Sequence, residues 1–263
     1  MEFAEGRIVA EIDAGIGTIT FNNPEKRNAM SLEMWRGMEQ ALDTFAADES
    51  VRAVVLTGAG AKAFVSGADI SQFDSQRADA SAQRSYDART SAGRARLAAF
   101  PRPVIARIRG FCLGGGLGLA LQADLRIAAD DAEFGIPAAR LGVAYGAGMV
   151  RQLVALVGPA HARMLLYTGT RIDAREAERI GLVNRTVAAE DLNETVDTLT
   201  RTIAGNAPLS IRAAKLAVAA AEFPGSIEAG MLDTAIDTCF DSADYREGRS
   251  AFQQKRPPAF QGR

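Results

Sequence analysis

Apolar residues in this chain fall first in short β-branched runs and later at helical spacing. Residues 7–11 and 15–21 predict two strands joined by Asp13-Ala14-Gly15 as a hairpin. The loop 22–28 (Asn22-Asn23-Pro24-Glu25-Lys26-Arg27-Asn28) follows from its turn residues. Ser31 then caps a helix whose apolar positions are Leu32, Trp35, Met38, Leu42 and Phe45. Residues 53–57 predict a buried strand that ends at Gly58-Ala59-Gly60. Phe64-Val65-Ser66-Gly67-Ala68-Asp69-Ile70 reads as a small-residue turn after a strand, and the polar, alanine-rich stretch 71–96 as a mobile helical segment or lid. A second buried strand runs between Pro103 and Gly110. Gly114-Gly115-Gly116 then opens an apolar helix over 117–121, and 124–129 is again strand-like.

Beyond Phe134 the period becomes helical. Helices are predicted over 149–156, 161–168 and 174–180, with a short strand over 183–187. Amphipathic helices follow over 191–204, 208–222 and 227–240, and a last one over 244–254 before Pro257-Pro258. This is an α/β unit whose C-terminal third is helical. No linker, charge block or repeat divides it. The expected organisation is a core over 1–200 and a C-terminal helical region over 201–263.

Composition narrows the function classes. The 263 residues carry 30 basic and 32 acidic side chains, a net charge of −2, which gives no electrostatic case for nucleic acid or an anionic membrane. Cys112 and Cys239 are the only cysteines, so a disulfide scaffold is excluded and a reduced, cytoplasmic setting is expected. No run approaches the roughly 18 apolar residues of a membrane span, and the acidic start Met1-Glu2-Phe3-Ala4-Glu5-Gly6 does not have the pattern of a signal peptide.

Several chemistries can be set aside. Gly58-Ala59-Gly60-Ala61-Lys62-Ala63 fits the dinucleotide fingerprint, yet the residues after it do not open a helix. A single histidine, His161, and no Cys/His cluster argue against a resident metal, and a serine triad lacks its G-x-S-x-G elbow. Cys112 reads as buried and inert. What remains is two small-residue turns after strands, at 66–69 and 113–116. Glycines there let backbone N–H groups point outward at an anion, or at an oxygen that becomes one.

At these turns the chain resembles the crotonase superfamily, the enoyl-CoA hydratase/isomerase family. The resemblance is carried by Asn23-Pro24 with Asn28-Ala29-Met30, by 63–70, by Gly110-Phe111-Cys112-Leu113-Gly114-Gly115-Gly116 and by Phe134-Gly135-Ile136-Pro137, in this order. Leu141-Gly142, Gly181-Leu182-Val183 and Glu247-Gly248-Arg249-Ser250-Ala251-Phe252 extend it over almost the whole chain. It implies a crotonase (ClpP-like) α/β fold of repeated β-β-α units followed by a helical trimerisation region. The implied assembly is a homo-trimer, or a hexamer built as a dimer of trimers. The implied substrate is an acyl-CoA thioester, with coenzyme A as part of the substrate and no permanently bound cofactor. By matching, the oxyanion hole consists of the N–H groups of Ala68 and Gly115, a donor type worth roughly 3 to 4 kcal/mol in the transition state. Lys26 and Lys62 match positions that approach the CoA nucleotide, Ala63, Ala68, Asp69, Ile70, Gly114 and Gly115 match further CoA-binding positions, and Phe252 and Lys255 match C-terminal CoA contacts.

The chain departs from the hydratase pattern at both proton-transfer glutamates, whose matching positions are Gly118 and Ala138. Asp69, Asp124 and Glu133 match structural or outward-facing positions. Hydration and allylic isomerisation need a proton-transfer group beside the substrate carbon. Decarboxylation of a malonyl-type thioester gives the enolate without a base. Tyr145, in Leu141-Gly142-Val143-Ala144-Tyr145, looks like the tyrosine of the superfamily's methylmalonyl-CoA decarboxylases, and an ordinary phenol, with a pKa near 10, is protonated at neutral pH. Arg140 is a second candidate for an acidic substituent. The expected function is therefore an acyl-CoA lyase or isomerase that stabilises an enolate and is not a standard hydratase. The alternatives are a decarboxylase using Tyr145 and a non-catalytic acyl-CoA-binding protein.

Overall fold

The computed structural model describes residues 1–69 and 79–263. Eleven strands are distributed over two sheets among these residues. β1 (Glu2–Phe3), β2 (Ile8–Asp13), β3 (Ile16–Phe21), β4 (Ala53–Gly58), β6 (Val104–Ile108), β8 (Leu125–Ala129) and β11 (Arg185–Val187) form the larger, adjacent in that order. From β3 onward its strands are parallel. The smaller sheet has the order β10 (Arg171–Asp173), β9 (Glu133–Gly135), β7 (Phe111–Leu113) and β5 (Ala63–Val65).

The chain alternates between the sheets. β4, β6 and β8 enter the large sheet, and β5, β7 and β9 follow each of them into the small one. The units β4-β5-α2 (helix Ala80–Ala98) and β6-β7-α3 (helix Gly115–Ala120) are successive β-β-α repeats, the α/β architecture expected of the chain. β5, β7 and β9 are parallel neighbours, so the loop ends after β5 and β7 lie side by side. That placement creates the site.

The long strands are apolar because helices cover them. α1 (Leu32–Ala47) presents Leu32, Trp35, Met38, Leu42 and Phe45, all buried, and Ser31 Oγ accepts from Met34 N at 3.2 Å as its N-cap. The central cluster includes Phe21, Phe45, Phe64, Phe100 and Phe134, with Phe21 and Phe64 edge to face. After α4 (Ala138–Leu141) comes α5 (Ala147–Thr168), broken at Gly158, whose φ of 71° and ψ of 165° are non-helical. This break divides the span into two helical parts, in agreement with the separate helices predicted at 149–156 and 161–168. α6 (Ala174–Arg179), α7 (Leu192–Ala204), α8 (Pro208–Glu222), α9 (Met231–Asp241) and α10 (Ala243–Gln254) complete the chain.

Other differences are local. The helix expected from 227 begins at Met231, because Gly230 has φ 81° just before it. The strand expected over 183–187 is reduced to Arg185–Val187. β1, β7, β9 and β10 span two or three residues each, too few for a period-2 pattern to register. The stretch expected to be a lid contains α2, which packs on α1 through Thr90, Gly93 and Leu97. A Cβ at Gly93 would lie 2.7 Å from the Trp35 ring. This contact relies on small size, so it leaves little apolar periodicity. The part of that expectation at 71–78 lies outside the described residues. Among the described residues, no helix is long and apolar enough to cross a membrane.

Candidate active site

The loop 22–30 forms the first wall. Arg27 and Asn28 adopt left-handed φ values of 53° and 57°. Asn28 is fully buried; its side chain accepts from Asn23 N at 3.0 Å and donates to Ala59 O at 3.0 Å and Ala63 O at 2.7 Å. The first of the two turns, after β5, is pinned to this loop. Met30 N donates to Gly67 O at 2.8 Å, and Asp69 N donates to Met30 O at 3.0 Å. These bonds hold residues on either side of Ala68 while its own N–H faces the opposite way.

The second turn follows β7. Gly114 N donates to Gly135 O at 2.8 Å. Gly114 has φ 54° and ψ −118°, a conformation for glycine alone. α3 begins at Gly115, and Gly116 is pressed so closely on β5 that a Cβ there would stand 2.0 Å from Val65 O. This contact seats one turn against the other. A Cβ on Gly115 would be 3.7 Å from Ala68 N. Ala68 and Gly115 are partly exposed, whereas Gly67, Asp69, Gly114 and Gly116 are buried. Among the described residues neither the Ala68 nor the Gly115 N–H has a protein acceptor. Two neighbouring N–H donors, one of them at a helix start and neither with a protein acceptor among the described residues, can hold one oxygen and favour negative charge on it.

Around this pair the structure is apolar at the positions that match the hydratase glutamates. Ala138 is buried at the start of α4. A Cβ on Gly118 would meet Met149 Sδ at 2.9 Å and Met149 Cε at 3.3 Å. The thioether of α5 therefore fills the space beside Gly118, a contact invisible to sequence spacing because 31 residues separate the two. Tyr145 Oη stands 2.9 Å from where a Gly114 Cβ would be, and Pro137 Cδ is 3.9 Å from the same point. The phenol thus lies against the residue that precedes the Gly115 donor. Arg140 is exposed and packs its stem over Gly169 instead.

The remaining expected site residues separate into groups. Lys26 Nζ is 2.9 Å from Asp69 Oδ2, with the carboxylate 9% and the ammonium 52% exposed, so the ion pair clamps the first wall to the first turn. Ala63 is buried in β5, and its carbonyl receives Asn28. Lys62 is exposed, and its carbonyl accepts from Phe111 N at 3.1 Å. Ile70 lies outside the described residues. Phe252 is 86% exposed on α10, followed by Lys255 with φ 54°. Neither has a hydrogen bond, ion pair or ring contact with the two turns among the described residues.

The acidic residues near the site have structural roles. Asp124 Oδ2 accepts from Val104 N at 2.7 Å and pairs with Lys215 Nζ at 2.8 Å. Glu133 pairs with Arg171 at 3.1 Å. Cys112 is buried in β7, and burial pushes its thiol far above the ordinary range, with Arg126 opposing weakly. Among the described residues no group of three metal-binding side chains occurs.

Comparison with known proteins agrees with this architecture over its full length. The family described as Enoyl-CoA hydratase/isomerase matches residues 11–263. The chain is similar to the short-chain-enoyl-CoA hydratase of Clostridium acetobutylicum, 34% identical over 259 residues, covering 95% of each chain. It is 36% identical over 258 residues to the crotonyl-CoA hydratase of Syntrophomonas wolfei, covering 96% of this chain and 97% of that one. An enoyl-CoA hydratase/carnithine racemase structure from Magnetospirillum magneticum superposes with a TM-score of 0.93 at 38% identity, covering 98% of this chain and 96% of that one.

Proposed function

The chain belongs to the enoyl-CoA hydratase/isomerase family, and from that membership we propose that it binds a coenzyme A thioester and stabilises its enolate between Ala68 N–H and Gly115 N–H. The observation that carries this reading is the pair of adjacent, partly exposed N–H groups with no protein acceptor among the described residues. As the thioester becomes an enolate its oxygen gains charge. Donors fixed before the reaction need no reorganisation at that moment. The start of α3 adds positive potential at Gly115. Ala63, Asp69 and Gly114 support the thioester end of the site, with Lys26 and Lys62 toward the phosphates and Phe252 and Lys255 as further CoA contacts.

The relatives named above are hydratases. This chain has Gly118 and Ala138 where the resemblance assigns the two proton-transfer glutamates, and Met149 occupies the space beside Gly118. The reading is therefore an enolate chemistry other than standard hydration. A specific observation favours decarboxylation within it: Tyr145 Oη lies against Gly114. A protonated phenol there would orient a carboxylate and assist the later proton transfer to carbon. The exposed apolar residues Val218, Met231, Ile236 and Phe240 of α8 and α9 support a trimeric assembly.

Parallel assays of crotonyl-CoA hydration and methylmalonyl-CoA decarboxylation test the proposal. The expected result is decarboxylation, with hydration at background, and a Tyr145→Phe variant slowed at least tenfold. Hydration at ordinary enzymatic rates that survives Tyr145→Phe overturns it. Tight binding of CoA esters without turnover of either identifies a non-catalytic acyl-CoA-binding protein.

A further inference from the structure

We infer that the face of the large sheet next to the start of α7 carries a second binding site, which takes a phosphate group. The site is a cavity of about 220 Å³ at the C-terminal ends of β4 and β6. Arg107, Arg109 and Thr57 form one side of it, and Leu192 and Asn193, the first residues of α7, form the other. Gly60, in the loop that follows β4, also lines it. Among the described residues no acidic side chain does.

Strand alternation separates this cavity from the thioester turns. Side chains along a strand point to opposite faces in turn. Leu56, Ala106 and Ile108 enter the main core with Phe64, Cys112 and Phe134 of the small sheet, whereas Val55 and Ile105 pack with Leu192 and Val196 in a separate cluster under α7. Thr57 and Arg107 lie two residues beyond Val55 and Ile105 and are partners across the two strands, so they emerge on the α7 face. Ala68 and Gly115 follow β5 and β7, on the small-sheet side. The inference is therefore independent of the acyl-CoA reading.

The groups that line the cavity have donors to spare. Arg107 is half-buried; its Nε donates to Thr57 Oγ at 3.3 Å, and its Nη1 and Nη2 have no protein acceptor among the described residues. Asp197 of α7 faces it without forming an ion pair. Arg109 gives its Nε to Asp131 Oδ2 at 3.0 Å, and its two Nη groups have no protein acceptor among the described residues. The Thr57 hydroxyl accepts from Arg107 and keeps its own proton to donate. The buried Arg126 is a contrast, because it spends its donors on the carbonyls of Leu182, Ala120 and Ala123 and braces the backbone. Two guanidinium forks with idle donors favour an anion, and a tetrahedral one presents oxygens to both forks at once. The cavity is several times the roughly 30 Å³ that one water occupies in the liquid, which leaves room beyond the phosphate for the group that bears it. Two sources supply that chemistry: the nucleotide end of a CoA molecule and a separate phosphorylated small molecule.

Calorimetric titration of the full-length protein with inorganic phosphate, alongside thermal melts, tests the site. The wild type is expected to bind one phosphate per chain with saturation and to gain Tm from it. Arg107→Gln is expected to bind at least tenfold more weakly and to lose that gain while its Tm without phosphate stays unchanged, and Arg107→Lys to retain part of both. Arg109→Gln, whose side chain is 41% exposed in the wild type, is also expected to bind more weakly, and it decides the matter should Arg107→Gln fail to fold. No saturable binding by the wild type overturns the proposal, as does an equal gain in Tm from chloride at the same ionic strength, or an affinity that both glutamine variants leave unchanged. Repeating the titration with saturating butyryl-CoA distinguishes the sources, and either result upholds the site. Displacement of phosphate identifies the CoA nucleotide as occupant, and unchanged binding identifies a separate phosphorylated molecule.

Discussion

Met149 Sδ occupies the space into which a side chain at Gly118 would grow, with a Cβ there only 2.9 Å from the sulfur. A glutamate at Gly118 would have to displace a buried thioether and place a carboxylate among apolar atoms. Overpacking of this kind costs about 1–3 kcal/mol. Gly118→Glu is expected to lower Tm and to produce no hydration of crotonyl-CoA. Gly118→Ala is expected to be milder, because a flexible methionine gives way to a methyl group. Thermal melts of Gly118→Glu, Met149→Ala and the double variant check the coupling, which must be non-additive for residues in contact.

The two neighbouring glycines of the second turn should fail in different ways. A Cβ at Gly116 meets the Val65 backbone at 2.0 Å, which no rotamer relieves. Gly116→Ala is expected to cost about 3 kcal/mol, at the upper end for overpacking, a fall in Tm of roughly 6–12 °C for a chain of this size. A Cβ at Gly115 makes only ordinary contact, 3.7 Å from Ala68 N, and Gly115 opens a helix, a position that accepts proline. Gly115→Pro is expected to hold Tm while removing one N–H donor, with kcat reduced roughly 10²–10³-fold. Paired melting and turnover measurements separate the two.

Cys112 has its thiol raised by burial beyond the range of ordinary thiols. The thiolate is the reactive form, so Cys112 is expected to resist a disulfide reagent at pH 8 in the native protein. Titration before and after unfolding in guanidinium should show its sulfur released only by unfolding.

Glu247 anchors the tail after α10. Its carboxylate binds Arg256 through two contacts and accepts from Ala259 N at 2.9 Å. The Arg256 hydrogen bond, followed by that from Ala259, lowers its pKa to about 2 from an ordinary value of 4.5. Because the folded value is depressed, the anchor is fully present above pH 4.5 and is lost as pH falls toward 2. Hydrogen exchange in residues 256–263 is expected to rise across that window. In Glu247→Gln it should be faster throughout and lose this pH dependence.

Legibility followed the length of the signal. α1 was readable because Ser31 and five apolar residues repeat over four turns, and its cap and buried face agree with that spacing. The paired turns were readable as small-residue segments, since close backbone approach leaves no choice of side chain, as at Gly116 against Val65. The short strands β7, β9 and β10 were not, because their pairing is supplied by neighbours distant in sequence.

The sequence by itself determined the α/β alternation, the two turns and the lack of carboxylates at 118 and 138, since these depend on residue type and local order. Tertiary structure decided what surrounds them. Met149 reaches Gly118, Tyr145 reaches Gly114, and Lys26 pairs with Asp69. Each of these contacts joins segments 31–43 residues apart. Their meeting is fixed by the parallel pairing of β5, β7 and β9 and by the helices laid over them, which no local pattern encodes.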